Sequence, residues 1–271
     1  MLKIALAQLN SNDDVQGNLK TIIGLVDEAT AHLSKPDLIL FPENSLFFRI
    51  NVDDKVTALD LKASVWADLQ SKSDQTGIAL HLTTAILDQD NKVYNGSVLV
   101  QPKAALTVTY RKIHLFNITL SGQKPIRESD VFEGGGKPSV FEYKGFKFGS
   151  SICYDVRFSE LYSNYAKQDV DVILVPSAFL VKTGQAHWDS LLRARAIESQ
   201  CYVLAAAQAG THRSATGSGS RETYGNSLVI GPWGQVLAQK VDGVGLVYFE
   251  LVKNEITSVR TQIPMKSHRR L

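Results

Sequence analysis

FKFGSSICYDVRFSE, residues 146–160, sets a short apolar run directly before a cysteine and follows it with a helix-like stretch. Apolar runs of this length bounded by turn residues read as buried strands. Cys153 therefore stands just past a strand at 146–152, which pairs as a hairpin with 140–143 about Lys144-Gly145. The same layout occurs twice upstream. In PDLILFPEN, residues 36–44, a buried strand of the parallel type at 37–41 is bounded by Pro42 and followed by Glu43. In ALTVTYRKIHLF, residues 105–116, a strand at 105–110 ends in Arg111-Lys112. In open α/β sheets the carboxyl ends of the strands line the ligand crevice, so Glu43, Lys112 and Cys153 can converge.

Working outward, 2–9 reads as a strand, and Leu19, Ile22, Ile23, Val26 and Leu33 recur at helical spacing over 15–33. A helix over 58–75 leads to neighbouring strands at 78–87 and 93–100 across the turn at 88–91. Residues 117–137, with Gly122 and Pro125, are irregular, and Gly134-Gly135-Gly136 reads as a turn because it lacks the Lys-Ser/Thr of a phosphate-cradling loop. A helix over 158–167, a strand at 170–175, a helix over 186–200 and a strand at 202–207 follow. The Ser/Gly-rich stretch 210–222 is the most flexible by composition and could act as a lid. Short strands at 225–230, 236–240 and 245–250 close the pattern. With neither a repeat nor a linker, residues 1–271 read as one α/β domain with mixed sheets.

Composition narrows the function. Residues are 44% hydrophobic and 21% charged, as in a soluble globular protein. A formal net charge of +2 supplies no long-range field to draw in nucleic acid or anionic lipid, and no stretch approaches a membrane span. The N-terminus lacks the layout of an export signal, so the expected location is cytoplasmic. Two cysteines exclude a disulfide framework, and the scattered histidines make no metal site. No cofactor is expected.

A thiol is a weak nucleophile until something takes its proton and a positive charge favours the thiolate. Glu43 and Lys112 supply both. In amide hydrolysis the carbonyl oxygen gains charge as the tetrahedral intermediate forms, and an ammonium with a backbone N–H can hold it there. Taken singly, each residue has a plainer role: a core cysteine, a helix-capping glutamate, a solvated lysine at a strand end. The trio together points to a cysteine hydrolase.

The wording around these residues, FPEN at Glu43, YRKIHLF at Lys112 and SICYDVRFSE at Cys153, resembles the nitrilase superfamily, the carbon-nitrogen hydrolases. The resemblance extends from KIALAQLN to QIPMKSHRR. It implies a four-layer αββα sandwich with mixed sheets, a homodimer or higher homo-oligomer, and a catalytic triad of Glu43, Lys112 and Cys153. It also implies a second glutamate at the site, matched here by Glu128 in PIRESDVF. Tyr154 is the expected backbone donor to the oxyanion, and Phe179 and His187 are the expected substrate contacts. The runs AHWDSLLRARAIESQCYVLAAAQAG and YGNSLVIGPWGQVLAQ look most like the branch that hydrolyses deaminated glutathione to 2-oxoglutarate and cysteinylglycine. ω-Amidases acting on α-ketoglutaramate and N-carbamoyl amine hydrolases are the alternatives, and a silent scaffold is the alternative from another class. Ser159 stands where this motif more often has proline, and LHLTTAI replaces a glycine-rich strand. Arg157 and Glu160 are expected to form an ion pair shaping the turn after Cys153, and Cys201 to be buried and inert.

Overall fold

The computed structural model describes residues 1–119, 124–215 and 217–270. Residues 120–123, which include Gly122, and Thr216 belong to the stretches expected to be irregular (117–137) and flexible (210–222); they lie outside the described residues.

Strand β1 (Leu2–Gln8) leads into helix α1 (Val15–Ala31), which Asp14 caps by accepting from the Gln16 N–H at 3.0 Å. Next come β2 (Leu38–Leu40), the two-residue β3 (Leu59–Asp60), α2 (Ser64–Thr76), β4 (Ala79–Leu87), β5 (Val93–Val100) and β6 (Thr107–Arg111). A two-stranded ribbon, β7 (Asn117–Ile118) with β8 (Ile126–Arg127), and a 3-10 turn at Glu128–Asp130 give the irregular stretch its form. The hairpin of β9 (Val140–Tyr143) and β10 (Phe146–Ser150), α3 (Ser159–Lys167), β11 (Val172–Leu174), α4 (Val181–Ser199) and β12 (Tyr202–Ala205) follow. The chain ends with β13 (Ala209–Arg213), β14 (Ser220–Tyr224), β15 (Ser227–Ile230), β16 (Val236–Lys240), β17 (Gly245–Leu251), α5 (Lys253–Gln262) and α6 (Met265–His268).

Seven strands form one sheet in the order β17-β1-β2-β4-β5-β6 with β3 beside β4, and six form the other in the order β16-β15-β12-β11-β10-β9. Both are mixed: β1, β2 and β4 run parallel, as do β10, β11 and β12, with antiparallel strands outside them. Alternation along the strands explains the layering, because successive side chains face opposite sides of a sheet. Leu2, Ile4 and Leu6 of β1 meet Phe148, Val172 and Leu204 of the second sheet in the central core. Ala5 and Ala7 face the other way, toward Leu19, Ile22 and Val26 of α1 and Trp66 of α2. On the far side, Ile173, Val175 and Val203 pack beneath Leu161 of α3 and Trp188 and Leu192 of α4. The result is helices, sheet, sheet, helices, the expected αββα sandwich. Burying a leucine or valine in such a core contributes about 1.5–3 kcal/mol.

Three expectations need correction. Helix α4 begins at Val181, five residues before the expected start, because Gly184 is a packing position: a Cβ there would lie 2.3 Å from the Tyr224 ring. The stretch expected as a loop at 210–222 instead supplies residues 210–213 and 220–222 to the β13–β14 hairpin, with Ala215 N–H bonded to Asp13 (2.7 Å) and Asn51 to the Ser218 carbonyl (3.0 Å). Helix α5 was not expected, since among its residues only Ile256 is buried.

Candidate active site

Glu43 leaves β2 through the Phe41-Pro42 bend. The Phe41 N–H still bonds the His81 carbonyl and the Ser45 N–H the Thr83 carbonyl, both at 2.9 Å, so the bend is clamped to β4 on either side of a buried Glu43. Pro42 has no N–H to leave unsatisfied in this position.

Lys112 continues the ladder at the end of β6: its N–H bonds the Asn95 carbonyl at 2.9 Å and its carbonyl accepts from Gly135 at 2.7 Å. The triple glycine is therefore not the expected turn but a segment laid against the strands, with Glu133 N–H bonded to Val93 O at 2.8 Å. A Cβ on Gly135 would stand 2.1 Å from the Arg111 carbonyl oxygen, so only glycine allows this approach.

Cys153 sits at φ +49°, in the left-handed region. That conformation costs a non-glycine residue about 1–3 kcal/mol and persists where the surroundings enforce it. Two contacts do so here. The Cys153 N–H donates to Pro176 O at 3.0 Å, and the Ile152 N–H donates to Asp155 Oδ2 at 2.9 Å. Asp155 is fully buried and also accepts from Tyr110 Oη (2.9 Å), from the His114 N–H (3.0 Å) and, through Oδ1, from His114 Nδ1 (2.7 Å). One carboxylate thus ties the residues on both sides of Lys112 to the turn that carries Cys153.

The charged groups meet inside this frame. Lys112 Nζ lies 2.9 Å from Glu43 Oε1 and 2.9 Å from Glu128 Oε2. Asn95 bridges the same two glutamates, donating to Glu43 at 2.8 Å and Glu128 at 3.0 Å. Backbone donors complete the shell: Ala178 N–H to Glu43 Oε2 at 2.9 Å and Phe116 N–H to Glu128 Oε2 at 2.6 Å. Burial alone would push the Lys112 ammonium down, but Glu128 and Glu43 outweigh it and hold the lysine well above its ordinary range. Burial would raise Glu128, yet Lys112, the Phe116 N–H and Asn95 bring it below the usual carboxylate value. The Cys153 thiol is driven well above its ordinary value by burial and by the Glu43 carboxylate, against the pull of Lys112 and the Ala178 N–H. Lys112 does pull the thiol toward the thiolate, as expected, but burial and the Glu43 carboxylate outweigh that pull.

Of the expected site residues, Glu43, Lys112, Glu128, Cys153, Tyr154 and Phe179 all line one cavity of about 770 Å³. In the 3-10 turn Cys153–Arg157 the Asp155 N–H is the first to bond back, to Ile152 O at 3.0 Å, and the Tyr154 N–H has no acceptor among the described hydrogen bonds. His187 does not line the cavity. It is exposed on α4, with Nδ1 3.3 Å from an Arg157 nitrogen, so it stands behind that arginine. The expected Arg157–Glu160 ion pair is absent among the described residues; the Arg157 guanidinium instead lies 5.8 Å over Tyr154 and 5.6 Å over Phe179, at the cavity wall. Cys201 is fully buried, its thiol pushed up to about 12 by burial.

The sequence profile of the Carbon-nitrogen hydrolase family matches residues 3–261. The chain belongs to the carbon-nitrogen hydrolase family. The deaminated glutathione amidase of Mus musculus is 38% identical over 275 residues, covering 98% of this chain and 83% of that protein. That of Dictyostelium discoideum is 34% identical over 280 residues, covering 99% of this chain and 94% of the other. The crystal structure of Saccharomyces cerevisiae Nit3, a member of branch 10 of the nitrilase superfamily, superposes with a TM-score of 0.85 at 29% identity, covering all of this chain and 97% of Nit3. This carbon-nitrogen hydrolase is therefore an amidase with the nitrilase-type sandwich.

Sequence reasoning missed four cavity or frame residues of this hydrolase. Asn95 lies inside a strand whose apolar neighbours hide it, and Asp155 reads as an ordinary turn acid. Arg49 and Arg221 fall in stretches without periodicity.

Proposed function

We propose that Cys153, Glu43, Lys112 and Glu128 hydrolyse a small acidic amide through a thioester, and that deaminated glutathione is the substrate. The observation that carries this reading is the charge of the cavity: four cationic side chains (Arg49, Lys112, Arg157, Arg221) and two anionic ones (Glu43, Glu128) surround the thiol, a surplus of two positive charges. Charge of that sign inside a water-poor cleft attracts an anionic substrate. Full-length relatives bearing the name deaminated glutathione amidase support the same choice.

The chemistry proceeds by proton transfers through Glu43. As Cys153 sulfur bonds the amide carbon, its proton passes to Glu43 and the carbonyl oxygen becomes an oxyanion facing Lys112 Nζ and the Tyr154 N–H. Two such preorganised donors contribute roughly 3 kcal/mol each to the transition state. The C–N bond breaks as Glu43 hands its proton to the leaving amine, cysteinylglycine. Water then gives a proton to Glu43 and its oxygen to the thioester carbon; the C–S bond breaks, the proton returns to sulfur, and 2-oxoglutarate leaves. Glu128 keeps Lys112 charged and in place throughout.

Amine-release assays on deaminated glutathione and α-ketoglutaramate test the reading. Faster turnover of the first is expected; hydrolysis of only the second makes this chain an ω-amidase instead. We also propose a homodimer or larger homo-oligomer, supported by Ile197 (48% exposed) beside Trp233 (54% exposed) on the α4 side; sedimentation as a monomer at micromolar concentration contradicts it.

A further inference from the structure

Arg49 and Arg221 line the same cavity as the thiol and have no part in the steps above. Arg49 follows Phe48 in the loop beyond Glu43, and Arg221 is the second residue of strand β14. The Arg221 guanidinium lies against the Arg49 backbone, a nitrogen donating to the Arg49 carbonyl at 3.5 Å, and stacks 5.1 Å over the Phe48 ring. Among the described residues neither has a carboxylate within ion-pairing distance, although Asp53, Asp54, Asp130 and Glu128 act on Arg49 from farther off, and Glu43 and Glu128 on Arg221. Burial strips water from both guanidinium groups and lowers both below the ordinary arginine value; on Arg221 the Glu43 carboxylate opposes this and Arg49 adds to it. Two adjacent, partly desolvated cations without a paired anion are costly, and a bound carboxylate offsets that cost through bidentate hydrogen bonds.

Their position says which part of the substrate they meet. An open cleft shares Arg49 and Val56 with the thiol cavity, so Arg49 stands where the two join and a substrate longer than the acyl group has room to extend.

We infer that Arg49 and Arg221 form a carboxylate subsite for the leaving amine, so that the enzyme selects amides of an oxo acid with a peptide-like amine ending in a free carboxylate. The inference rests on the amidase reading above.

The test uses three amides of one oxo acid: one releasing ammonia, one releasing a dipeptide amine with a free C-terminal carboxylate, and one releasing the same dipeptide with that carboxylate capped as an amide. Wild-type kcat/KM is expected to favour the free acid over the capped form by about 30-fold, the value of one buried charge contact. Arg49→Gln and Arg221→Gln are expected to bring that ratio close to one, with Arg221→Lys in between and the loss expressed mainly in KM. Equal wild-type rates for free and capped dipeptides overturn the subsite, as do variants that keep the ratio. If no amide is turned over, the amidase reading fails; the subsite is then decided by calorimetry on Cys153→Ala, where equal affinity for free and capped amides overturns it and tighter binding of the free acid supports it.

Discussion

Lys112 Nζ lies 2.9 Å from Glu43 Oε1, and the same ammonium is 2.9 Å from Glu128 Oε2. The ammonium draws the Cys153 thiol toward the thiolate, while burial and the Glu43 carboxylate push it further the other way. In the proposed reaction Glu43 takes the thiol proton, and Lys112 turns to the oxyanion as Glu43 is neutralised.

Glu43→Gln keeps the shape but removes the proton acceptor, and its amide N–H must face either the Ala178 N–H or the Lys112 and Asn95 donors. Activity is expected to fall by about a hundred- to ten-thousand-fold in kcat, with little change in KM. Steady-state kinetics check this, and a variant with a nearly normal kcat contradicts the role.

Lys112→Met leaves Glu43 and Glu128 facing each other without a cation. Removing one partner of a buried pair costs about 3–5 kcal/mol, so a large fall in Tm is expected alongside loss of activity. Lys112→Met, Glu128→Gln is expected to recover part of the stability and none of the turnover; thermal unfolding and rate assays separate the two.

Acid should weaken the fold through Glu128. Its folded carboxyl titrates below the ordinary glutamate value of 4.5, so the unfolded chain binds the proton first as pH drops. The stabilisation is complete above that value and is lost as pH falls through the lower, folded one. Melting temperatures of wild type and Glu128→Gln measured down through this window are expected to converge at acid pH; parallel curves contradict the linkage.

Asp155 acts by position. Asp155→Asn sets an amide N–H against donors from Ile152, Tyr110 or His114, whichever way the amide faces. A loss of about 1–3 kcal/mol in stability is expected, with kcat falling more than KM because Cys153 and Lys112 lose their common anchor. Tyr110→Phe removes one of those bonds and is expected to cost about 1 kcal/mol, with a smaller fall in kcat.

The strands and the candidate trio were legible because buried strands announce themselves as apolar runs, and Glu43, Lys112 and Cys153 each follow such a run within three residues; the four layers came from the resemblance alone. Glu128 had no such signal; it sits in a 3-10 turn after a two-residue strand, and only the resemblance pointed to it. Arg221 was hidden because Ser/Gly-rich composition reads as flexible, whereas the hairpin ladder Ala209↔Tyr224 to Arg213↔Ser220 depends on backbone hydrogen bonds that composition does not encode. Asn95 was hidden for the opposite reason: it occupies a strand position among buried neighbours and turns its amide to two carboxylates that arrive from 52 and 33 residues away. His187 was expected through the resemblance alone, which gave a helix near the site but not that this side chain stands exposed behind Arg157.

Mass spectrometry of intact protein quenched during turnover of deaminated glutathione tests the central claim most directly. A covalent 2-oxoglutaryl adduct on the peptide containing Cys153, absent from Cys153→Ala, is the predicted result, together with a fall in rate of about ten-thousand-fold or more in that variant. Turnover by Cys153→Ala at the wild-type rate, with no adduct in either protein, contradicts the account.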